Sequence, residues 1–200
     1  MKKLFILISL SFSIASSARS WYIKPHLGIG RSFNSELMDR PASITFYKGE
    51  LATGIEFSRL RVETGLGYVN PGFKIVGFMG ASKYVNLHYR FGYLYLPIRV
   101  AYQIDLSQRL SVVPAVGIAP SYNTRAKLTM TTAGEPDQTN DVLNVKKMGA
   151  FADASVFLEY RIGAFSAIAG ISYKHMISNI VNGGSRFYLL SADAGILYRF

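Results

Sequence analysis

Apolar and polar residues alternate with period two along most of this chain, the pattern of strands that bury one face. It predicts strands at about 21–33, 44–57, 61–69, 87–104, 110–122, 149–160, 164–176 and 186–200. The connections alternate in length. Ser58 to Leu60, Asp105 to Arg109 and Arg161 to Gly163 are short, whereas 34–43, 70–86, 123–148 and 177–185 read as loops. Strands joined by short turns at one end and long loops at the other predict an all-β, eight-stranded antiparallel up-and-down transmembrane β-barrel.

Charge sharpens the pattern. The fourth predicted strand sets Leu94, Leu96, Ile98, Val100, Tyr102 and Ile104 against Tyr93, Tyr95, Pro97, Arg99, Ala101 and Gln103. The last sets Leu190, Ala192, Ala194, Ile196, Tyr198 and Phe200 against Ser191, Asp193, Gly195, Leu197 and Arg199. Extending that phase assigns Lys24, Lys48, Glu50, Glu56, Glu63, Arg99, Asp153, Glu159, Lys174, Asp193 and Arg199 to one face, inward. The outward exceptions are Arg31 and Arg90, with His88 and His175, all near the loop ends. A cation facing lipid at midplane costs about 2–4 kcal/mol and little at the interface. The expected lumen network is Glu56, Glu63, Arg99, Asp153, Glu159, Asp193 and Arg199, with Arg99 drawing its partners from the five acids.

Aromatic residues on the outward parity gather at strand ends. Phe57, Tyr102, Tyr160, Phe165, Tyr198 and Phe200 lie near the short turns, and Phe33, Tyr47, Tyr68, Tyr122, Tyr173 and Tyr188 near the loops. Two such girdles suit the two membrane interfaces. The chain ends in Gly195-x-x-Tyr198-x-Phe200, similar to the assembly signal of outer-membrane proteins. A last strand with an open edge can be gripped by strand addition before the barrel closes.

The N-terminus adds a location. Met1-Lys2-Lys3, an apolar run from Leu4 to Ala15 and the small residues Ser16, Ser17 and Ala18 form the three parts of a secretory signal. The run is too short to span as a helix, which takes about 20 residues. The expected organisation is a cleavable signal over 1–18, with Ser20 as an alternative cleavage point, and an outer-membrane barrel over 19–200. The formal charge of +10 falls by two with Lys2 and Lys3. An exported chain rarely meets nucleic acid, so anionic lipid headgroups explain the excess better. Cysteine is absent, which excludes disulfides and a lipidated N-terminal cysteine.

Tyr93-Leu94-Tyr95-Leu96-Pro97, leading into Ile98 to Tyr102, resembles the Tyr-Leu-x-Ile-Pro strand of the PorT-like outer-membrane β-barrel family. Tyr173 to Ile180, ending Ser178-Asn179-Ile180, resembles a segment near that family's last hairpin, and the stretch 114–120 fits between them. Tyr95, where an acid is common, and Met176, where Gly is usual, depart from the pattern. The resemblance implies a small outer-membrane barrel. Some members assist protein secretion.

Chemistry has one candidate. His175, Ser178 and Asn179 resemble a His-x-Ser-Asn stretch of lipid A deacylases, also eight-stranded barrels. There His and Ser share a face with an acid behind the His. Here they are three apart, on opposite faces of a continuing strand, and Asp193 lies far down the next strand. The bland reading, a headgroup-level His and a loop Ser, is preferred. His26, His88 and His175 have no metal-ligand spacing, and the paired glycines of 28–30 and 65–67 precede no helix, so no metal or cofactor is expected. An eight-stranded lumen is only just filled by side chains. The sequence therefore points to a non-catalytic barrel, its partners being outer-membrane lipids, the assembly machinery through the last strand, and a protein met by the external loops. A deacylase-like hydrolase is the alternative.

Overall fold

The computed structural model describes residues 20–34, 42–79, 83–132, 136–180 and 186–200, so the expected signal over 1–18 lies outside the described residues. The chain is all-β. Its strands are β1 (Ser20–Asn34), β2 (Ala42–Phe57), β3 (Leu60–Val69), β4 (Gly72–Met79), β5 (Lys83–Tyr95), β6 (Ile98–Tyr102), β7 (Ile104–Asp105), β8 (Leu110–Thr132), β9 (Gln138–Asp141), β10 (Met148–Ile162), β11 (Phe165–Met176) and β12 (Phe187–Arg199). All pairings are antiparallel within one sheet, and β12 returns to β1, from Tyr22 opposite Arg199 to Asn34 opposite Phe187. The sheet is a closed ring, a barrel without open edges around its wall.

Among the described residues twelve strands appear where eight were expected, and proline accounts for two of the divisions. Asn70-Pro71 parts β3 from β4, and Leu96-Pro97 parts β5 from β6. Proline has no N–H to give to a ladder. Neighbouring groups bridge these gaps. Asn70 Oδ1 accepts from the Tyr47 amide (2.7 Å), and the Leu96 amide donates to the Pro120 carbonyl (2.9 Å). Between β6 and β7 the Gln103 amide donates to the Arg59 carbonyl (2.7 Å).

The segments 70–86 and 123–148 differ more from expectation, since both are largely strand. Beyond the barrel wall β4, β5, β8 and β9 continue side by side as a four-stranded extension. Cross-strand partners share a face, and faces alternate along each strand. One face therefore carries Phe73, Tyr89 and Leu128, then Ile75, Leu87 and Met130. The other carries Arg90 with Lys127, then Lys74 with His88. The apolar face is the inner one, because Phe73 and Tyr89 pack on the barrel's interior cluster. A bulge at Gly92/Tyr93 inserts Thr124 into β8, where its hydroxyl donates to the Gly92 carbonyl (3.1 Å). The extra residue shifts parity by one. Ser121 faces inward before it and Ala126 after it.

Inside and outside are inverted relative to a water-soluble fold. Leu27 is 72% exposed and Val116 65%, while Arg61, Glu63 and Lys174 are at most 2% exposed. Phe33, Tyr47, Tyr68, Tyr122 and Tyr173 are exposed toward one end, and Tyr102, Tyr160, Phe165 and Phe200 toward the other. Trp21, missed in the periodicity, joins the second set. At that end Ser58-Arg59 and Gly163-Ala164 make two-residue hairpins between paired Phe57–Leu60 and Ile162–Phe165. Their first residues have positive φ, 57° for Ser58 and 64° for Gly163, as type II′ turns require. Gly163→Ala should destabilise the barrel by about 1 kcal/mol, because a Cβ disfavours this conformation. Reversible unfolding in detergent checks it; an unchanged midpoint would count against the turn assignment.

Candidate functional site

Three groups of charged residues fill the half of the lumen nearest the short turns. Lowest, Arg61 donates to Glu159 (2.6 Å) and lies 2.9 Å from Glu56, while Arg199 reaches Glu56 (3.2 Å) and also pairs with Glu159. Ser166 joins the group, accepting from Arg199 (2.7 Å) and donating to Glu159 (3.0 Å). In the middle, Lys24 and the Tyr22 hydroxyl both donate to Glu63, at 2.5 and 2.8 Å. Arg99 spans Glu50 (2.7 Å from Nη2) and Asp153 (3.0 Å from Nε), with Glu63 at 3.7 Å. Lys174 pairs with the same Asp153, and Tyr95 donates to Glu50 (2.8 Å). Highest, Lys48 meets Asp193 (2.9 Å) and Ser172 (2.6 Å).

Ladder register explains who meets whom. Glu63 faces Arg99, Arg99 faces Gly117, Gly117 faces Asp153 and Asp153 faces Lys174, one row across five strands. Another row runs Asp193, Gly28, Lys48. A side chain at Gly28 would collide with both the Lys48 stem and the Asp193 carboxylate, so the missing Cβ is the space through which that pair meets. Gly67 likewise leaves room for the Tyr95 ring.

Three of the five acids proposed for Arg99 are not its partners. Glu56 and Glu159 belong to the Arg61–Arg199 group, and Asp193 to Lys48. Parity fixes a residue's face, but height in a tilted barrel depends on stagger between strands. Glu50, absent from the expected network, is the acid Arg99 grips with two nitrogens. Arg61 was missed although it sits two residues before Glu63 on the same face.

The other half of the lumen is apolar. Phe46, Val69, Phe91, Tyr93, Tyr95, Ala119, Phe151, Met176, Ile180, Phe187 and Leu189 form one buried cluster. Its rings meet edge to face, as in Phe91–Phe187 (5.3 Å) and Tyr93–Phe151 (5.7 Å), geometry favoured by the ring quadrupoles. Val145, between β9 and β10, packs onto the cluster, and the Lys146 amide donates to the Ile180 carbonyl (2.9 Å). Inward aromatics at the loop ends of several strands were the readable signal for this plug.

The hydrolase candidate does not assemble. His175 lies against the Tyr188 ring at 4.6 Å, tilted by 31°, Ser178 accepts from the Ala150 amide (3.2 Å), and Asn179 accepts from Arg186 (3.0 Å). Asp193 is held by Lys48 inside the barrel. In the last strand Gly195 is flanked by Ile168 and His26. Tyr198 contacts Phe165 (4.8 Å) and Phe200 (4.9 Å), and the Phe200 amide donates to the Trp21 carbonyl (2.9 Å). At the short-turn rim Gln103 (2.6 Å) and Ser111 (2.9 Å) donate to Asp105. These bonds hold its carboxyl below the usual range, a contribution lost as pH falls through that lowered value.

No family model and no curated protein matches the chain. Solved structures do. Neisserial surface protein A is 17% identical, with 90% of this chain and 97% of that one covered at a TM-score of 0.47. The outer membrane protein OprG from Pseudomonas aeruginosa is 11% identical, with 92% and 97% covered at 0.49. The outer membrane protease OmpT from Escherichia coli is 8% identical, with 92% and 98% covered at 0.48. These neighbours are bacterial outer-membrane β-barrel proteins, a protease among them.

Arg99→Ala takes from Glu50 its paired cation and leaves Asp153 with Lys174 alone, in a nearly dry interior where breaking a buried pair costs about 3–5 kcal/mol. Arg59→Ala removes an exposed cation 3.9 Å from Asp105, worth at most about 1 kcal/mol. Unfolding of both variants in detergent should separate them clearly. Equal losses would refute the network's role in stability.

Proposed function

We propose that the chain is an exported, non-catalytic outer-membrane protein of the PorT-like kind, and that its twelve strands trace eight membrane passes. On this count β3 with β4 is one pass, β5 to β7 another, and β9 with β10 another, each divided only by a local break in the ladder. The observation that carries the reading is the inverted barrel. Its outer wall of Leu, Ile, Val and Ala lies between two aromatic belts, around an interior of paired charges. Strands of 12 to 16 residues such as β1, β2, β11 and β12 exceed the roughly 9–11 that cross a bilayer. Exposed apolar surface on that scale marks a membrane or a partner, and here it encircles the wall.

The ion network and the aromatic plug fill the lumen in series, which argues against a diffusion pore. Recognition then falls to the outer end, where the β4, β5, β8 and β9 extension stands clear of the wall as a rigid platform for a protein partner. The last strand, with Gly195, Tyr198 and Phe200, is the handle for the barrel-assembly machinery before β1 pairs with it.

The protein should fractionate with outer membranes, change gel mobility on boiling, and give no stepwise conductance in planar bilayers. Replacing 128–141 by a two-residue turn should preserve that mobility change while abolishing crosslinks to the partner. A soluble periplasmic product of constant mobility would refute the membrane reading. Crosslinks that survive the replacement would refute the platform.

A further inference from the structure

The outer face of the extension carries a charge arrangement that strand pairing alone disfavours. Arg90 stands directly opposite Lys127, and two positions along Lys74 stands directly opposite His88. Like charges directly opposite one another destabilise an antiparallel pair. Here Arg90 and Lys127 form such a pair, and Lys74 adds a third cation beside His88 on the same face of three adjacent strands. Rows two residues apart are separated by about 7 Å and neighbouring strands by about 5 Å, so the four groups bound an area the size of a phosphate with its first hydration shell. Arg125, opposite Gly92 one alternate row below, extends the patch toward the wall.

Counter-charge is scarce. Asp141, opposite Lys127, is the one carboxylate on these rows. Among the described residues Lys74, Arg90, Arg125 and Lys127 make no ion pair. Burial first, then the Lys74 and Arg90 cations, push the His88 imidazole below its usual range against the pull of Asp137. The place is electropositive, with more cations than carboxylates on these rows.

Its height narrows the anion. These residues lie on the same outward parity as Leu94, Tyr68 and Tyr122, which share one row of the wall. The Tyr68 hydroxyl reaches up to the space beside Gly92, one alternate row below Arg90 and Lys127. An interfacial tyrosine places its hydroxyl at headgroup level, so the cations stand where phosphates of the surrounding leaflet lie.

We propose that Lys74, Arg90 and Lys127, with His88 beside them, bind the phosphates of an anionic glycolipid in the outer leaflet, whose acyl chains lie along the wall below. This rests on the membrane reading above. The extension is then held upright by its apolar inner face on the barrel plug and by lipid phosphate on its outer face.

The test uses full-length protein extracted in detergent, with native mass spectrometry reading retention of two probes: diphosphoryl lipid A and its dephosphorylated form. The wild type should bind the diphosphoryl probe on the order of tenfold or more tighter than the other, since each near-surface cation contributes appreciably. The combined Lys74→Ala, Arg90→Ala and Lys127→Ala variant should lose that preference. Arg90→Lys with Lys127→Arg should keep it, and mobility change on boiling shows that each variant has folded. A triple variant that folds and retains the preference overturns the patch. Equal binding of both probes by the wild type also overturns it, as does competition by inorganic phosphate at concentrations matching the lipid. Those results leave the membrane reading intact. A wild type that never enters membranes overturns both.

Discussion

A charge taken out of water into a protein interior carries a penalty of several kcal/mol, offset only by a well-placed partner. The barrel is organised around that constraint. Among the described residues Lys24, Lys48, Arg61, Arg99, Lys174 and Arg199 face Glu50, Glu56, Glu63, Asp153, Glu159 and Asp193 inside the wall, six of each sign. Neutrality alone would not suffice, because the pairs must also meet. Arg99 does so with its planar fork on two carboxylates, a geometry a lysine cannot supply. Lys48 reaches Asp193 only because Gly28 between them has no side chain. Closure of β12 on β1 brings both rows together, so the charges and the ring are mutually dependent.

The apolar plug divides the lumen by solvation. Toward the short turns the buried cations and carboxylates are paired, while His26 and Ser155 lie among them without a side-chain hydrogen bond. Toward the outer mouth, rings and methyls exclude water without needing one. The plug also fixes the extension, since Phe73 stacks on Tyr89 (4.6 Å) and approaches Phe91 and Phe187 (6.1 and 6.0 Å). A segment pinned by its inner face has little freedom to reorient its outer one.

Period-two alternation made faces readable from single strands: every residue assigned inward by parity from Lys24 to Arg199 lies on the lumen side. Pair identity was not readable. Glu50 rather than Glu56 meets Arg99 because neighbouring strands are staggered, and no strand encodes its neighbour's stagger in its own pattern. The extension was hidden for two local reasons. Pro71 and the Gly92 bulge interrupt the alternation at its base, and beyond Thr124 the parity reverses, so Arg125, Lys127 and Thr129 read as a polar loop. The run Phe73 to Met79 is rich in apolar residues. Where its side chains are described, it is apolar on alternate positions only, with Phe73 and Ile75 turned to the inner face.

Because the buried charges cancel, the net positive charge of the described residues lies outside the lumen. Its distribution is uneven. At the short-turn rim Arg59, Arg109 and Arg161 gather around Asp105. At the other end Arg31, Lys74, Arg90, Arg125, Lys127, Lys146 and Lys147 stand with Asp137 and Asp141 among the described residues. An excess of cations at a membrane surface is a liability in isolation, since like charges repel over the roughly 8–10 Å Debye length of ordinary salt. It becomes favourable when the leaflet itself is anionic. On the proposed membrane reading, a bilayer that favours apolar residues outward at mid-height also favours the cations above them, and one parity rule places both.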